Sequence, residues 1–288
     1  MTAVTVVLPT FARQSYLVQS IESVLAQDYQ DFVVAIGDNE ASPRTRELVA
    51  SFGDPRLCYH PRQENLGAQG NWLALVRDAR TPLVATLHDD DLWKPDFLGR
   101  LVPPMLADPG LAMAFSDFEF IDADGRPCVE ASRSLSERTR RDRLPAGTIR
   151  GDLAEGLRLV AVWNAPNPSI ASVIRRDQLL ALSFPPQAAP LYDLWVAYQF
   201  VLRSAHFYFV PGSYVQYRTH KGSSTAHGWS APEDYIFERI LAENPQAGPV
   251  LDEIRRYWAS IRWGRALGMM GDPKRRAESR REMRAAAP

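Results

Sequence analysis

Leu83-Val84-Ala85-Thr86-Leu87-His88-Asp89-Asp90-Asp91 is the stretch on which the reading of this chain turns. The run from Leu83 to Leu87 has the length and apolar character of a buried strand. It delivers a histidine and three adjacent carboxylates to its carboxyl end. Neighbouring carboxylates repel one another, and holding them at the mouth of a buried strand costs free energy unless a cation sits there. Hard divalent ions such as Mn2+ or Mg2+ take oxygen ligands and commonly bridge carboxylates to substrate phosphates. The same residues also read as a solvated acidic turn, with Asp91 capping a helix near Pro95. The preceding strand favours the cation, because it places the cluster at a sheet edge.

Outward from this stretch, strand and helix signals alternate. Val4 to Leu8 is a β-branched apolar run closed by Pro9, and Phe32 to Ile36 ends at Gly37-Asp38. Leu57 to Tyr59 reads as a short third strand. Between them, Leu17, Ile21, Val24 and Leu25 recur at helical spacing behind Ser15 as N-cap, and Pro43 to Phe52 begins with proline in its first turn. Gly67 to Ala79 puts Trp72, Leu75, Val76 and Ala79 on one side of a helix. This alternation predicts an α/β fold with a mostly parallel sheet covered on both faces. Ligands bind beyond the carboxyl ends of such strands. Thr10, Arg13, Asp38, Asn39 and the 88–91 cluster should therefore share one edge.

Ala112 to Phe120 reads as a further strand. From Asp122 to Gly151 the pattern is polar and non-periodic, with Arg133, Arg138, Arg140, Arg141 and Arg143 among few acids. It reads as a long loop, either solvated or a lid. Helical stretches are expected near 151–161, 176–182 and 193–204. Strands are expected at Val173-Ile174 and at Phe207 to Val210, with strand character resuming at Val215 to Tyr217. From about Pro232 the chain is helical, with Leu251, Ile254, Trp258 and Ile261 as an apolar stripe and an Arg-rich tail after Pro273.

Composition narrows the function classes. The chain has 288 residues, 45% hydrophobic and 23% charged, and a net charge of −1. A sequence of this kind folds a substantial core and lacks the basic field of a nucleic-acid binder. Its 2 cysteines, Cys58 and Cys128, form neither a disulfide framework nor a cysteine zinc site. No run reaches the ~18 apolar residues of a membrane span, and the N-terminus lacks a signal-peptide pattern. These features predict a cytoplasmic protein, membrane-peripheral at most.

Several segments carry candidate chemistry. Pro9-Thr10-Phe11-Ala12-Arg13 joins a strand to a helix, where a helix N-terminus and an arginine favour an anion and Phe11 can stack on a base. It contains neither the Gly-x-Gly-x-x-Gly nor the Walker A pattern. Asp38 can accept a nucleobase N–H or cap the next helix. Trp163-Asn164 heads a Pro-rich segment whose ring and amide suit a sugar or other polar acceptor; a stiffened core loop is the other reading.

Together, Val6-Val7-Leu8-Pro9-Thr10-Phe11-Ala12-Arg13, Ile21-Glu22-Ser23-Val24-Leu25-Ala26-Gln27-Asp28-Tyr29, Gly37-Asp38-Asn39, Asn65-Leu66-Gly67 and Asp89-Asp90-Asp91-Leu92-Trp93-Lys94-Pro95 resemble, in order and spacing, the family 2 glycosyltransferases over about the first 120 residues. The resemblance implies a GT-A fold, a Rossmann-like α/β domain with a C-terminal helical extension. It implies a nucleotide-sugar half at 1–120, an acceptor half at 121–230 and the extension at 231–288. It also implies an inverting, metal-dependent transfer of sugar from a nucleotide-diphosphate sugar to an acceptor hydroxyl. UDP is the first choice of donor nucleotide, with dTDP or GDP as others. The acceptor would be a glycan, a lipid-linked molecule or a small molecule.

By the same resemblance, Pro9, Thr10, Phe11 and Arg13 cradle base and ribose, Asp38 bonds the base, and Asn71 faces the nucleotide. Asp90 is the main metal ligand, supported by Asp91. Asp89 or His88 approaches the ribose. Asp193, at the start of a helix whose dipole favours its charged form, is the catalytic base. Arg218 closes over the diphosphate within a late Arg-x-His segment that runs through Lys221 to Ser223-Ser224, and His220 is a further metal ligand. The C-terminal helices are a candidate homodimer contact. Three other readings stay open: a noncatalytic nucleotide-sugar binder, a nucleotidyltransferase, whose Gly-rich basic first loop is missing here, and a structural or scaffold protein, which would not need this acid cluster.

Overall fold

The computed structural model describes residues 2–222, 233–270 and 275–286. Ser223, Ser224, Pro232 and Pro273, named above, lie outside the described residues. The strands are β1 (Val4–Thr10), β2 (Phe32–Asp38), β3 (Leu57–Pro61), β4 (Leu83–Thr86), β5 (Leu92–Trp93), β6 (Leu111–Ile121), β7 (Gly147–Ile149), β8 (Ser172–Arg175) and β9 (His206–Arg218). They form one sheet in the order β3-β2-β1-β4-β8-β6-β9-β5, with β7 pairing to β9. β3, β2, β1 and β4 are mutually parallel, and β6 and β9 run the same way. β8, β5 and β7 run against them.

The helices are α1 (Gln14–Leu25), α2 (Pro43–Ser51), α3 (Gly67–Asp78), α4 (Phe97–Ala107), α5 (Val129–Arg138), α6 (Leu153–Leu157), α7 (Arg176–Leu180), α8 (Tyr192–Leu202), α9 (Glu233–Glu243), α10 (Val250–Met269) and α11 (Arg276–Ala286). They cover both faces of the sheet, so β1 reads as continuous apolar sequence because both faces are buried. Val4, Val6 and Leu8 pack with Leu17, Ile21 and Val24 of α1 and Leu98 and Leu101 of α4. On the other face Val7, Ala35 and Val84 pack with Trp72 and Leu75 of α3 and Trp195 of α8.

The expected strand–helix order is observed through β4, with differences of detail. Arg13, not Ser15, holds the N-cap position of α1, and its side chain makes no cap hydrogen bond. The region expected as a loop from Asp122 to Gly151 contains α5 and β7. α5 buries little beyond Leu135, so it leaves no apolar period to detect. β9 is a single strand despite Gly212, because a register shift between Ser116 and Asp117 accommodates the residues around Gly212 as a bulge. α4 carries Pro103 and Pro104 internally, a pattern that argues against a helix locally. Its buried Phe97, Leu98, Leu101 and Met105 outweigh that penalty.

Gly37 shows how tightly β2 meets α3. A Cβ there would lie 2.5 Å from Asn71 Oδ1 and 3.0 Å from Leu75. Gly37→Ala should therefore destabilise the fold by about 1–3 kcal/mol through overpacking. A urea titration that gave the variant wild-type stability would contradict this account of the contact.

Candidate active site

The parallel strands bring their carboxyl ends to one edge. There Thr10 of β1 lies beside Asp38 of β2, and β4 leads into His88–Asp91. β9 brings Arg218 and His220 to the same place from far along the chain.

Each acid is held differently. Asp89 Oδ2 accepts the Thr10 hydroxyl at 2.7 Å and the Phe11 N–H at 3.2 Å, and Oδ1 accepts Arg13 Nη1 at 3.0 Å. The same Arg13 nitrogen donates to Asp90 Oδ2 at 2.9 Å, and His220 Nε2 lies 3.1 Å from that oxygen. Asp91 Oδ1 accepts the Arg218 backbone N–H at 2.9 Å. Its Oδ2 is buried, has no hydrogen-bond partner among the described residues and lies 3.7 Å from His88 Nδ1. The acids are buried, at 3%, 8% and 1% exposure for Asp89, Asp90 and Asp91, which removes the solvated-turn reading of the cluster.

Burial, reinforced by the Asp90 charge, pushes the Asp91 carboxyl well above the ordinary range, with the Arg218 N–H pulling against it. Asp89 is raised by burial and Asp90, against the opposing pull of Arg13, Thr10 and Phe11. His88 is shifted down by burial, against the attraction of Asp90 and Asp89.

One ligand atom each from His88, Asp90 and Asp91 lies within 4.8 Å of the others. A buried carboxylate oxygen without a hydrogen bond, beside a second carboxylate and an imidazole, fits a divalent cation; the nitrogen suits Mn2+ better than Mg2+. His88 is thus a candidate ligand beyond the Asp90, Asp91 and His220 set expected from sequence. Its place in the 88–91 cluster was the available signal. His220 stands on the Arg13 side of Asp90, with its ring 4.9 Å from that of Tyr16.

Other expected residues are placed otherwise. Arg218 is 1% exposed. Its Nε donates to the Asp90 carbonyl at 2.9 Å, Nη1 to the Ala123 carbonyl at 3.2 Å and Nη2 to Gln19 Oε1 at 2.8 Å, and the guanidinium lies over the Tyr16 ring. These donors are committed to the protein, so Arg218 braces the acids from behind rather than presenting its charge to a diphosphate. Asp38 accepts the Glu40 and Ser42 N–H groups and the Tyr59 hydroxyl, at 3.0, 2.9 and 2.7 Å. These bonds shape the turn that leads into α2, whose N-cap residue is Ser42. Asn71 is buried, donates to the Gly37 carbonyl at 2.7 Å and accepts Arg62 Nε at 2.9 Å. It ties α3 to β2 at the same edge. Phe11 stays 50% exposed beyond Pro9, and Arg13 Nη2 reaches the Gly222 carbonyl at 2.9 Å.

Asp193 lies in the first turn of α8 and accepts the Leu194 N–H at 2.8 Å. Burial raises its pKa above the ordinary carboxylate value, outweighing the backbone hydrogen bonds that lower it. The shift is therefore opposite to the one expected from the helix dipole alone. Tyr192 beside it stacks at a tilt against Trp72, 4.7 Å between centroids.

Trp163 and Asn164 are not placed at the acids. Trp163 lines a cavity of about 550 Å3 with Leu144, Ile149, Val201 and Phe207, near the start of β9, whereas the acids lie at its end. Asn164 adopts φ +49° and its carbonyl accepts Arg141 Nη2 at 3.3 Å. Arg141, expected in a solvated loop or lid, is buried. It donates to the Ala165 carbonyl at 2.7 Å and to Asp117 Oδ1 at 3.1 Å. That pair was missed from sequence; the one signal was an acid inside the apolar β6 run.

The sequence profile of Glycosyl transferase family 2 matches residues 5–154. The chain belongs to that family. It is 31% identical over 143 residues to the succinoglycan biosynthesis protein ExoO of Rhizobium meliloti, covering 50% of this chain and 41% of the relative. It is 26% identical over 119 residues to the Escherichia coli UDP-Glc:alpha-D-GlcNAc-diphosphoundecaprenol beta-1,3-glucosyltransferase WfgD, covering 41% and 47%. The chain thus spans less than half the length of these two relatives.

The fold is that of S. aureus TarS 1-349, crystallised with UDP-GlcNAc, at TM-score 0.69 and 14% identity over 99% of this chain and 79% of that one. It also resembles the mannosyltransferase PcManGT of Pyrobaculum calidifontis, solved with GDP-Man and Mn2+, at TM-score 0.55 and 16% identity over 98% and 85%. This is the GT-A fold.

The cluster's electrostatics give a test. A carboxyl whose folded pKa is raised binds protons more tightly in the native state, so its stability contribution is present at low pH and lost as pH rises through the folded value. For Asp91 the window opens at the ordinary carboxylate range and extends upward. Without divalent ions, Asp91→Asn should be more stable relative to wild type the higher the pH. Parallel Tm-against-pH curves for the two proteins would overturn this.

Proposed function

We propose that this chain catalyses inverting transfer of a sugar from a nucleoside-diphosphate sugar to an acceptor hydroxyl. The observation that carries the reading is the buried Asp91 Oδ2, without a hydrogen bond among the described residues, within the His88, Asp90 and Asp91 group at the ligand-binding edge of a family 2 domain. His88, Asp90 and Asp91 would hold Mn2+ or Mg2+, with His220 beside Asp90, and the ion would supply charge stabilisation for the departing diphosphate. UDP is the preferred nucleotide, with GDP and dTDP as alternatives. The UDP-GlcNAc complex of TarS supports the first and the GDP-Man complex of PcManGT the second.

Asp89 sets the β1–α1 loop by bonding Thr10, Phe11 and Arg13. The loop in turn presents Phe11 for stacking on the base, with Pro9, Asp38 and Asn71 framing its floor. Asp193 accepts the proton of the acceptor hydroxyl as its oxygen attacks the anomeric carbon. The bond from that carbon to the phosphate oxygen breaks, and the nucleoside diphosphate leaves with the electron pair. One displacement inverts the centre. A raised pKa makes Asp193 a stronger base, provided the pH lies above it. In this reading, residues 1–120 serve the donor, 121–230 the acceptor, and 231–288 form a helical extension. The acceptor is a glycan, a lipid-linked molecule or a small molecule.

Asp193→Asn should lower turnover by at least about a thousandfold, at the scale of general-base catalysis, with nucleotide affinity unchanged in calorimetry. Near-normal turnover would remove Asp193 from its role. The wild-type rate should fall on acidification at a pH above the ordinary carboxylate range, because protonated Asp193 cannot take up a second proton. Thermal-shift measurements with UDP, GDP and dTDP, each with and without Mn2+, should show one nucleotide stabilising only in the presence of the metal. Asp90→Ala should lose that response; a retained response would reassign the site.

A further inference from the structure

The C-terminal helices carry a surface that the transfer reading does not use. Residues 250–288 contain 10 Arg and Lys against 5 Asp and Glu, a net charge of +5 in a chain whose total is −1. α11 folds back on α10: the Ser279 hydroxyl donates to the Ala266 carbonyl at 2.8 Å, while Arg262 and Arg265 both reach Glu282, at 3.3 and 3.1 Å. The later residue of one helix meets the earlier of the other, so the pair is antiparallel.

The four acids of this hairpin among the described residues are taken up by neighbours: Asp252 pairs with Arg255, Glu253 with Arg158, Glu278 with Arg275, and Glu282 with Arg262 and Arg265. Arg280, Arg281 and Arg284 are exposed and have no ion-pair partner among the described residues. Three large apolar side chains of α10 and its end are also exposed: Trp263 at 47%, Leu267 at 51% and Met270 at 53%. Their spacing puts them on one stripe.

Helical phase places the two features on the same flank. At about 100° per residue, the Trp263 stripe lies roughly a third of a turn from the α10 face that meets α11. Arg280 and Arg284 lie a similar angle from the α11 face that meets α10. Because the helices are antiparallel, these rotations point to the same side of the hairpin. An apolar stripe containing tryptophan, flanked by unneutralised arginines, has the composition of a helix that lies in a bilayer interface. No helix among the described residues is long and apolar enough to cross a membrane.

We propose that this flank docks the protein on an anionic phospholipid surface, with Trp263, Leu267 and Met270 entering the headgroup boundary and Arg280 and Arg284 against the lipid phosphates. The choice of a bilayer over a second copy of this chain rests on charge: two like flanks would bring arginines together, whereas anionic lipid complements them. The inference stands independently of the transfer chemistry.

The test is flotation of the full chain with vesicles of phosphatidylcholine alone and with about 30% phosphatidylglycerol. Binding should appear with the anionic vesicles and be lost as salt is raised to about 0.5 M. Trp263→Ser with Leu267→Ser, and separately Arg280→Glu with Arg284→Glu, should each lower the bound fraction at least about tenfold. These positions are exposed, so both variants should keep the wild-type Tm and any nucleotide-induced thermal shift, which separates failure here from failure of the active-site reading. Absence of binding to anionic vesicles, or equal binding to both compositions, would overturn the proposal. So would a wild-type dimer in light scattering that Trp263→Ser with Leu267→Ser converts to a monomer, which would identify the flank as a subunit interface.

Discussion

The confinement of Asp89, Asp90 and Asp91 in a buried space is the constraint around which the ligand edge is organised. Three carboxylates in sequence cannot all be charged and dry without compensation. The fold answers with a separate device for each. Asp89 is held by the loop after β1, Asp90 by Arg13 and His220, and Asp91 by the Arg218 N–H. Segments from near residue 10 and near residue 220 are thereby tied to the end of β4. Asp91 Oδ2 is buried without a hydrogen bond from the described residues, with His88 Nδ1 3.7 Å away, and there the compensation is weakest.

That arrangement also assigns the arginines. Arg218 is buried and spends its donors on carbonyls and Gln19, so it acts as scaffold for the acids. Arg13 is more exposed and bridges two carboxylates from the solvent side. A guanidinium in that position can exchange a carboxylate for a phosphate with little loss of hydrogen bonding. Arg141 resembles Arg218 in kind. It joins Asp117 of β6 to the carbonyls of Asn164 and Ala165, and so immobilises the segment that leads into β8.

Much of the first half could be read directly. β1, β2 and β4 are short apolar runs whose burial on both faces leaves little doubt about their state, and the sheet edge follows from their direction. The 88–91 cluster and Arg13 are local in sequence and chemically loud. The second half was less legible because its elements are held by distant partners. α5 has a single buried position, Leu135, and β7 is 3 residues long, so neither leaves a periodic trace. Trp163 and Asn164 have the chemistry of an acceptor site, but only tertiary packing places the ring in the cavity near the start of β9 and the carbonyl on Arg141.

By itself, the amino-acid order determined the α/β class, the family and the edge of the sheet at which acids collect, because short-range hydrophobic periodicity and motif spacing are properties of contiguous residues. Only the tertiary structure decided which side chains face outward at that edge. Whether an arginine meets a ligand or a carbonyl, and whether a carboxyl is raised or lowered, depends on desolvation and on partners more than a hundred residues away. Those energies exist only once the chain has closed on itself.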